Sequence, residues 1–389
     1  RICLMVNCEW INKALRVEFT TIDNQLYYKT RPCCHMHGFK IDKQFQNWSK
    51  CTSWQDLETH SNRKHFIDWQ NTQPGFHTAC HPCETATLSG SLINPMNHWS
   101  KNDSIDYHIL DVVVGNTCNL ACPFCSPSVS SLIEKITNSL PDKKSLPGKW
   151  GHRAEKNGNP SDVACIVSEF ISNRRVGTLK VIGGEPLLAE NWSEIGKVID
   201  SGACRDMCLT FTTNATIMNK KIVDNLYKVK SSNITVSLDS INDNYNFIRW
   251  PHKWDKALRN TKYLINNKPD SALVNIDNLV TVFNFEYLPD IVKVFEQFPS
   301  YSFNFDLKPM GSELDFKVLP EHILHNTLKK LNNMDRHSCT TIEYVLDNYK
   351  DLNQQHLYEK TKNSVDWFLR QRGMSSHVLG KDTIQYLQL

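Results

Sequence analysis

Between residue 105 and about residue 310 the chain repeats one pattern six times: a short run rich in Val, Ile, Leu and Thr, alternating with longer amphipathic segments. The runs fall at 107–114, 178–182, 208–212, 234–238, 273–281 and 302–307 and read as strands. Helical periodicity falls at 129–138, 162–173, 191–201, 219–229, 254–266 and 287–298. Strands separated by helices pair in parallel, and six such units imply a sheet that curls into a barrel or part of one. The expected fold class is α/β, a partial (β/α)6 barrel over residues 105–310.

The flanks differ from this core. Residues 1–90 are rich in Cys, His, Trp and Asn, and "LRVEFTTI" and "QLYYKT" are their clearest strand-like runs, so a small ligand-stapled domain is expected there. Residues 91–104 are small and polar and read as a linker. Residues 311–389 read as a helical carboxyl-terminal extension, with "EHILHNTLKKL" and "TIEYVLDNY" its clearest amphipathic pieces. The polar insertion 140–162 is expected to be a mobile loop near the barrel mouth.

Lys and Arg total 44 against 41 acids, a formal charge of +3. That near balance provides no basic stripe to track a phosphate backbone, so a nucleic acid partner is not expected. No apolar run is long enough to span a bilayer and no signal-peptide pattern opens the chain, so a cytoplasmic location without membrane attachment is expected. The chain begins at Arg1 with no methionine, which suggests that a few residues precede it. In a reducing compartment its 14 cysteines are read as metal ligands in preference to disulfides.

Three of them, Cys118, Cys122 and Cys125, are spaced C-x3-C-x2-C in "GNTCNLACPFCSP". A closed zinc site needs a fourth ligand at a partner spacing, and none lies nearby downstream. An iron–sulfur cluster fits the spacing better, because one tight loop can hold three corners of a cube and leave the fourth iron open for a small ligand. Downstream, "VIGGEPLL" places Gly183, Gly184, Glu185 and Pro186 just after a strand. Two glycines admit a close ligand, and a carboxylate or carbonyl there can accept from an ammonium. Thr213 and Asn214 end the third strand, and Ser237 and Asp239 the fourth; two such groups on one strand face can hold a diol or a carboxylate. Arg249 and Asn284 follow the fourth and fifth strands. All of these motifs sit at carboxyl ends of expected strands, where β/α barrels build active sites.

"CNLACPFC", with an aromatic residue at Phe124, resembles the signature of the radical S-adenosylmethionine (SAM) superfamily, and "GGEP" resembles the motif that receives the amino group of SAM in that family. The resemblance implies a [4Fe–4S] cluster on Cys118, Cys122 and Cys125 whose open iron chelates SAM. One-electron cleavage of SAM then releases a 5′-deoxyadenosyl radical that takes hydrogen from a substrate. It also implies SAM contacts at Gly183, Gly184, Glu185, Pro186, Thr213, Asn214, Ser237, Asp239, Arg249 and Asn284. The family's glycine-containing adenine motif is not legible in "LVNIDNLV".

"CEW" at 8–10, "DNQLYYKTRPCC" at 23–34 and "FHTACHPC" at 76–83 resemble the auxiliary-cluster module called SPASM, or its shortened twitch form. Spacing alone admits zinc or iron–sulfur there; the resemblance favours an auxiliary [4Fe–4S] cluster on Cys8, Cys33, Cys80 and Cys83, with Cys3 and Cys34 as replacements. Here the module precedes the barrel instead of following it, and its hairpin lacks the usual glycine. The implied function is radical modification of a peptide or protein, with the auxiliary cluster accepting or relaying an electron. The implied electron donor is a one-electron reductant such as flavodoxin or ferredoxin. The alternatives are a dehydrogenase or rearrangement enzyme on a small molecule and, in a different class, a non-catalytic iron–sulfur or zinc protein. Cys165, Cys204, Cys208 and Cys339 are read as small buried hydrophobes.

Overall fold

The computed structural model describes residues 13–31, 48–72, 104–142, 146–152, 158–295, 301–306, 313–332, 343 and 346–389. In chain order its elements begin with β1 (Ala14–Ile22), β2 (Gln25–Arg31), β3 (Ser49–Lys50), α1 (Gln55–Thr59), α2 (Ser61–Thr72) and β4 (Tyr107–Val113). There follow α3 (Ser131–Ser139), α4 (Pro160–Asn173), β5 (Val176–Ile182), α5 (Ala189–Asp200), β6 (Cys208–Thr213), α6 (Lys220–Leu226) and β7 (Ser231–Ser237). Next come α7 (Asn242–Ile248), α8 (Trp254–Asn267), β8 (Ala272–Leu279), α9 (Leu288–Phe295) and β9 (Tyr301–Asp306). The chain closes with α10 (Glu321–Asn332), α11 (Tyr349–Leu352), α12 (Tyr358–Arg372) and α13 (Lys381–Leu387). All six strands expected between 105 and 310 are present within three residues of their expected ends.

Among the described residues, hydrogen-bonded strand neighbours run β3-β2-β1-β4-β5-β6-β7-β8-β9, with β3 and β9 as edges. The β4–β5, β5–β6 and β8–β9 pairs are parallel, as β/α connections require. Among the described residues no helix is long and apolar enough to cross a membrane.

Two compact units divide the chain. The first takes the described residues of Arg1–Gly115, Glu155–Phe211 and Asp224–Asn233. Within it β1 and β2 form a hairpin whose two turn residues, Asp23 and Asn24, have φ of 48° and 59°, the left-handed geometry a two-residue hairpin turn demands. Asp and Asn tolerate that region better than bulkier residues do. The hairpin is not set apart from the β/α units: β1 pairs in parallel with β4, in the register Arg16 to Asp111. Sequence periodicity does not reveal this pairing, because a strand's partner leaves no mark on its own alternation. On the sheet face toward α4 and α5, Val112, Leu179 and Val181 line one gap with Val163, Val167 and Ile195. Phe170 of α4 is fully buried and packs at 5.2 Å from Tyr107. Burial of such a side chain contributes about 1.5–3 kcal/mol.

The second unit takes the described residues of Asn116–Ala154, Thr212–Val223 and Ile234–Leu389. Its core is aromatic, with Phe247 and Phe283 at 5.3 Å, Phe283 and Phe368 at 6.1 Å, and Phe285 stacked on Phe316 at 5.2 Å. Helix α12 stops at Gly373, whose φ of 60° suits glycine, and the Met374 N–H closes back on Leu369 O at 3.0 Å. Part of the insertion read as a mobile loop belongs to this core. Trp150 is 2% exposed and packs against Trp367 and Phe368. The Gly148 N–H donates to Glu313, a buried carboxylate also paired with Lys360 of α12.

Candidate metal centre

The loop Asn116–Ser130 carries the three cysteines and is closed by its own polar residues. Asn116 Nδ2 donates to Pro127 O at 2.8 Å, across the base of the loop. The Ser131 hydroxyl meets both the N–H and the carbonyl of Cys118 at 3.1 Å. Ser130 caps α3 by accepting from Ile133 N, and its hydroxyl donates to Leu120 O at 2.5 Å. A tight turn brings the Cys125 N–H to Cys122 O at 3.1 Å. These bonds bury Leu120, Ala121 and Cys122 and leave Cys118 and Cys125 half-buried.

Side-chain N–H groups face two of the sulfurs. Arg249, 8% exposed, directs Nη1 to Cys122 Sγ at 3.8 Å and Nη2 to Asp239 at 2.5 Å, and lies 5.6 Å from the Phe124 ring. Asn214 Nδ2 lies 3.9 Å from Cys118 Sγ and donates to Asn119 Oδ1 at 3.1 Å. Burial alone depresses the Arg249 guanidinium, but the carboxylate of Asp239 holds it above its ordinary value. The Cys122 thiol is drawn below its ordinary value, first by its hydrogen bond with Cys125 and also by Arg249, against the opposing effect of burial. The same hydrogen bond and burial hold Cys125 well above.

Further polar contacts hold the backbone of the loop. Trp150 Nε1 donates to Cys122 O at 3.2 Å, the Ala121 N–H donates to Trp250 O at 2.8 Å, and Arg372 donates to Ala121 O at 2.7 Å. Burial pushes the Arg372 guanidinium down to about 9. Sequence reasoning missed Trp150, Arg372 and Asn119. Only Asn119 carried a signal, its place inside the cysteine motif.

Other expected contact residues are braced within the second unit. Asp239, 1% exposed with φ of 62°, accepts from Leu279 N at 2.9 Å and forms an ion pair with Arg249. It lies beyond the end of β7, so the strand alternation that put it on one face with Ser237 does not reach it. All the amide positions of Asn284 are engaged: Nδ2 donates to Asp239 O and Leu279 O, and Oδ1 accepts from Thr281. Thr213 Oγ1 accepts from Ala215 N at 3.1 Å. Ser237 is half-buried.

The GGEP stretch belongs to the first unit. Gly183 has φ of 94°, and a Cβ there would stand 2.6 Å from Gly115 O, so no other residue fits. Gly184 has φ of 49°. Glu185 is 1% exposed and accepts from Leu187 N at 3.0 Å, with Pro186 buried beside it.

The auxiliary-site candidates, Cys8, Cys33, Cys80 and Cys83 with Cys3 and Cys34, lie outside the described residues, as does Cys339. Of the cysteines read as buried hydrophobes, Cys204 is buried, Cys208 is half-buried and Cys165 is exposed on α4 beside Glu169. Cys165 departs from the expectation because it falls on the solvent side of that helix.

Among the described residues no three His, Cys, Asp or Glu side chains are arranged to hold a single metal ion. A multi-iron cluster asks for something else, one thiolate for each of three separate irons. Three thiols in one loop, with N–H donors and a guanidinium directed at the sulfurs, fit that group and the negative charge it carries.

The family model described as the radical SAM superfamily matches residues 112–295. A curated relative, the GTP 3′,8-cyclase of Thermodesulfovibrio yellowstonii, is 30% identical over 144 residues, which cover 37% of this chain and 38% of the cyclase. Among solved structures, anSMEcpe with bound AdoMet is similar at 16% identity and a TM-score of 0.40, covering 58% of this chain and 57% of that one. SuiB of Streptococcus suis bound to S-adenosylmethionine is similar at 16% identity and a TM-score of 0.39, covering 82% and 68%.

Proposed function

We propose that this chain, whose residues 112–295 match the radical SAM superfamily model, is an enzyme that uses a [4Fe–4S] cluster on Cys118, Cys122 and Cys125 to cleave SAM and abstract hydrogen from a substrate. The observation that carries the reading is the cysteine loop itself, with Arg249 and Asn214 directed at two of its sulfurs. When bound, the cluster supplies the electron that releases a 5′-deoxyadenosyl radical from SAM. The protein's part is to hold and orient. Arg249, fixed by Asp239, places positive charge beside the Cys122 thiolate, and Asn284 braces the Asp239 turn. The glycines at 183 and 184, with Glu185 and Pro186, are assigned to the amino group of SAM. Thr213, Asn214 and Ser237 are assigned to its polar remainder.

The substrate is proposed to be a peptide or protein, on the strength of the resemblance of residues 1–90 to auxiliary-cluster modules. In that reading Cys8, Cys33, Cys80 and Cys83 hold a second [4Fe–4S] cluster that takes up or relays an electron, and a flavodoxin or ferredoxin serves as reductant. A second reading, chemistry on a small molecule, draws on the 30% identity to a protein named as a GTP cyclase.

Anaerobic reconstitution followed by iron counting and assay of 5′-deoxyadenosine tests the proposal. About eight irons per chain are expected if both clusters form. Cys122→Ala is expected to remove about half of them and abolish SAM cleavage; retained 5′-deoxyadenosine production in that variant would falsify the assignment. Glu185→Ala is expected to weaken SAM binding about 10- to 100-fold, the scale of one charge-assisted hydrogen bond, with iron content unchanged. Iron loss equal to that of Cys122→Ala would instead make Glu185 a structural residue.

A further inference from the structure

Helix α12 ends on a buried arginine that the function proposed above leaves unused. Arg372 is 9% exposed, and its Nη2 donates to Ala121 O at 2.7 Å and its Nη1 to Phe247 O at 2.5 Å. The guanidinium carbon stands 4.8 Å from the Phe247 ring centroid and 5.0 Å from that of Phe368. Two carbonyls and two ring faces fix its orientation, yet none of them carries a formal negative charge.

Two other arginines of this unit have carboxylates beside them. Arg370, two residues earlier on the same helix, pairs with Asp366 at 2.6 Å on the surface, and Arg249 pairs with Asp239. Among the described residues no carboxylate pairs with Arg372. A buried cation without a counter-ion is costly. The carbonyl end of α12 favours positive charge, but that effect offsets only a fraction of such a cost. What lies next to Arg372 is the cysteine loop: the carbonyl it holds belongs to the residue before Cys122, and negative charge on the Cys122 sulfur acts on it favourably.

We propose that Arg372 is a positioning residue of the cluster site, whose otherwise uncompensated charge balances the anionic thiolate-ligated cluster and raises its reduction potential. This rests on the cluster assignment made above. A cubane held by three thiolates is an anion, and reduction makes it more negative, so a fixed buried cation stabilises the reduced form more than the oxidised one. The two-carbonyl fork also ties the Ala121–Cys122 segment to the carboxyl-terminal extension, for which the sequence suggested no role.

Charge and fork separate in two variants. Arg372→Gln keeps amide donors for the carbonyls and loses the charge; Arg372→Lys keeps the charge and loses the fork. The reconstituted full-length proteins are titrated with dithionite without SAM and followed by electron paramagnetic resonance. The expected result is a midpoint shifted to more negative potential in Arg372→Gln and unshifted in Arg372→Lys. Failure of Arg372→Gln alone to load iron supports the proposal equally, since charge is then what retains the cluster. Equal shifts in both variants, no shift in either, or loss of iron from both while circular dichroism shows them folded overturns it. If Cys122→Ala leaves the signal of the titrated cluster in place, the cluster assignment has failed, and the role proposed for Arg372 falls with it.

Discussion

In the first unit Glu18 lies among Arg16, Lys29 and Arg31 at 3.4, 2.9 and 3.3 Å, and Asp111 stands 3.1 Å from Arg16 and 3.8 Å from Lys180. In the second unit Arg249 has Asp239 at 2.5 Å, while Arg372 has carbonyls and rings but no carboxylate among the described residues. Both networks bury guanidinium groups. Strand register sets the first: Glu18 faces Lys29 across β1 and β2, and Arg16, Asp111 and Lys180 are neighbours across β1, β4 and β5, so opposite charges meet along the ladder. The second is not set by register. Its arginines come from the ends of α7 and α12 and turn toward the cysteine loop, Arg249 to the Cys122 sulfur and Arg372 to the Ala121 carbonyl. A buried charge matched by its strand neighbours is a structural device, whereas one aimed at thiols is what an anionic cofactor needs.

Three substitutions probe that contrast. Asp239→Asn removes the one carboxylate of the second network and leaves Arg249 buried and uncompensated, a loss of about 3–5 kcal/mol expected in chemical denaturation of the cluster-free protein. A loss under about 1 kcal/mol, within the range of a surface ion pair, means that the thiols already serve as the counter-ion of Arg249.

Glu18→Gln addresses the first network. Burial works to raise the Glu18 carboxyl, but Arg31, Lys29 and Arg16 outweigh it and bring it down to about 2 from 4.5. A folded value below the unfolded one stabilises the fold above the unfolded value, and that contribution is lost as pH falls from about 4.5 toward about 2. The variant is expected to be less stable by about 3 kcal/mol at pH 7, with the gap closing over that window. A gap independent of pH assigns the effect to packing.

Trp150→Phe has the smallest expected effect. It keeps the aromatic contact with Phe368 and removes the donor to Cys122 O, at a cost of about 1 kcal/mol. Faster loss of reconstituted iron should accompany it. Iron loss at the unmodified rate shows that the indole packs without holding the loop.

The sequence by itself determined the parallel β/α core and the clustering of three cysteines. Both follow from local patterns, since alternation and periodicity are properties of a segment, and three thiols within eight residues lie near one another whatever the segment folds into. Gly183 reads as room for a close ligand, whereas the structure gives it a backbone reason, a φ of 94° and a Cβ-free approach to Gly115 O. Tertiary structure decided what those segments meet. The parallel pairing of β1 with β4 left no trace in either strand's own alternation. Trp150 sat in a polar insertion that read as a loop, and only the aromatic cluster with Trp367 and Phe368 buries it. Arg370 and Arg372 are two residues apart with the same side chain, one exposed beside Asp366 and one buried against the cysteine loop. On an α-helix two residues turn the chain through roughly 200°, so the pair occupies nearly opposite faces, and what α12 packs against selects which arginine becomes part of the site.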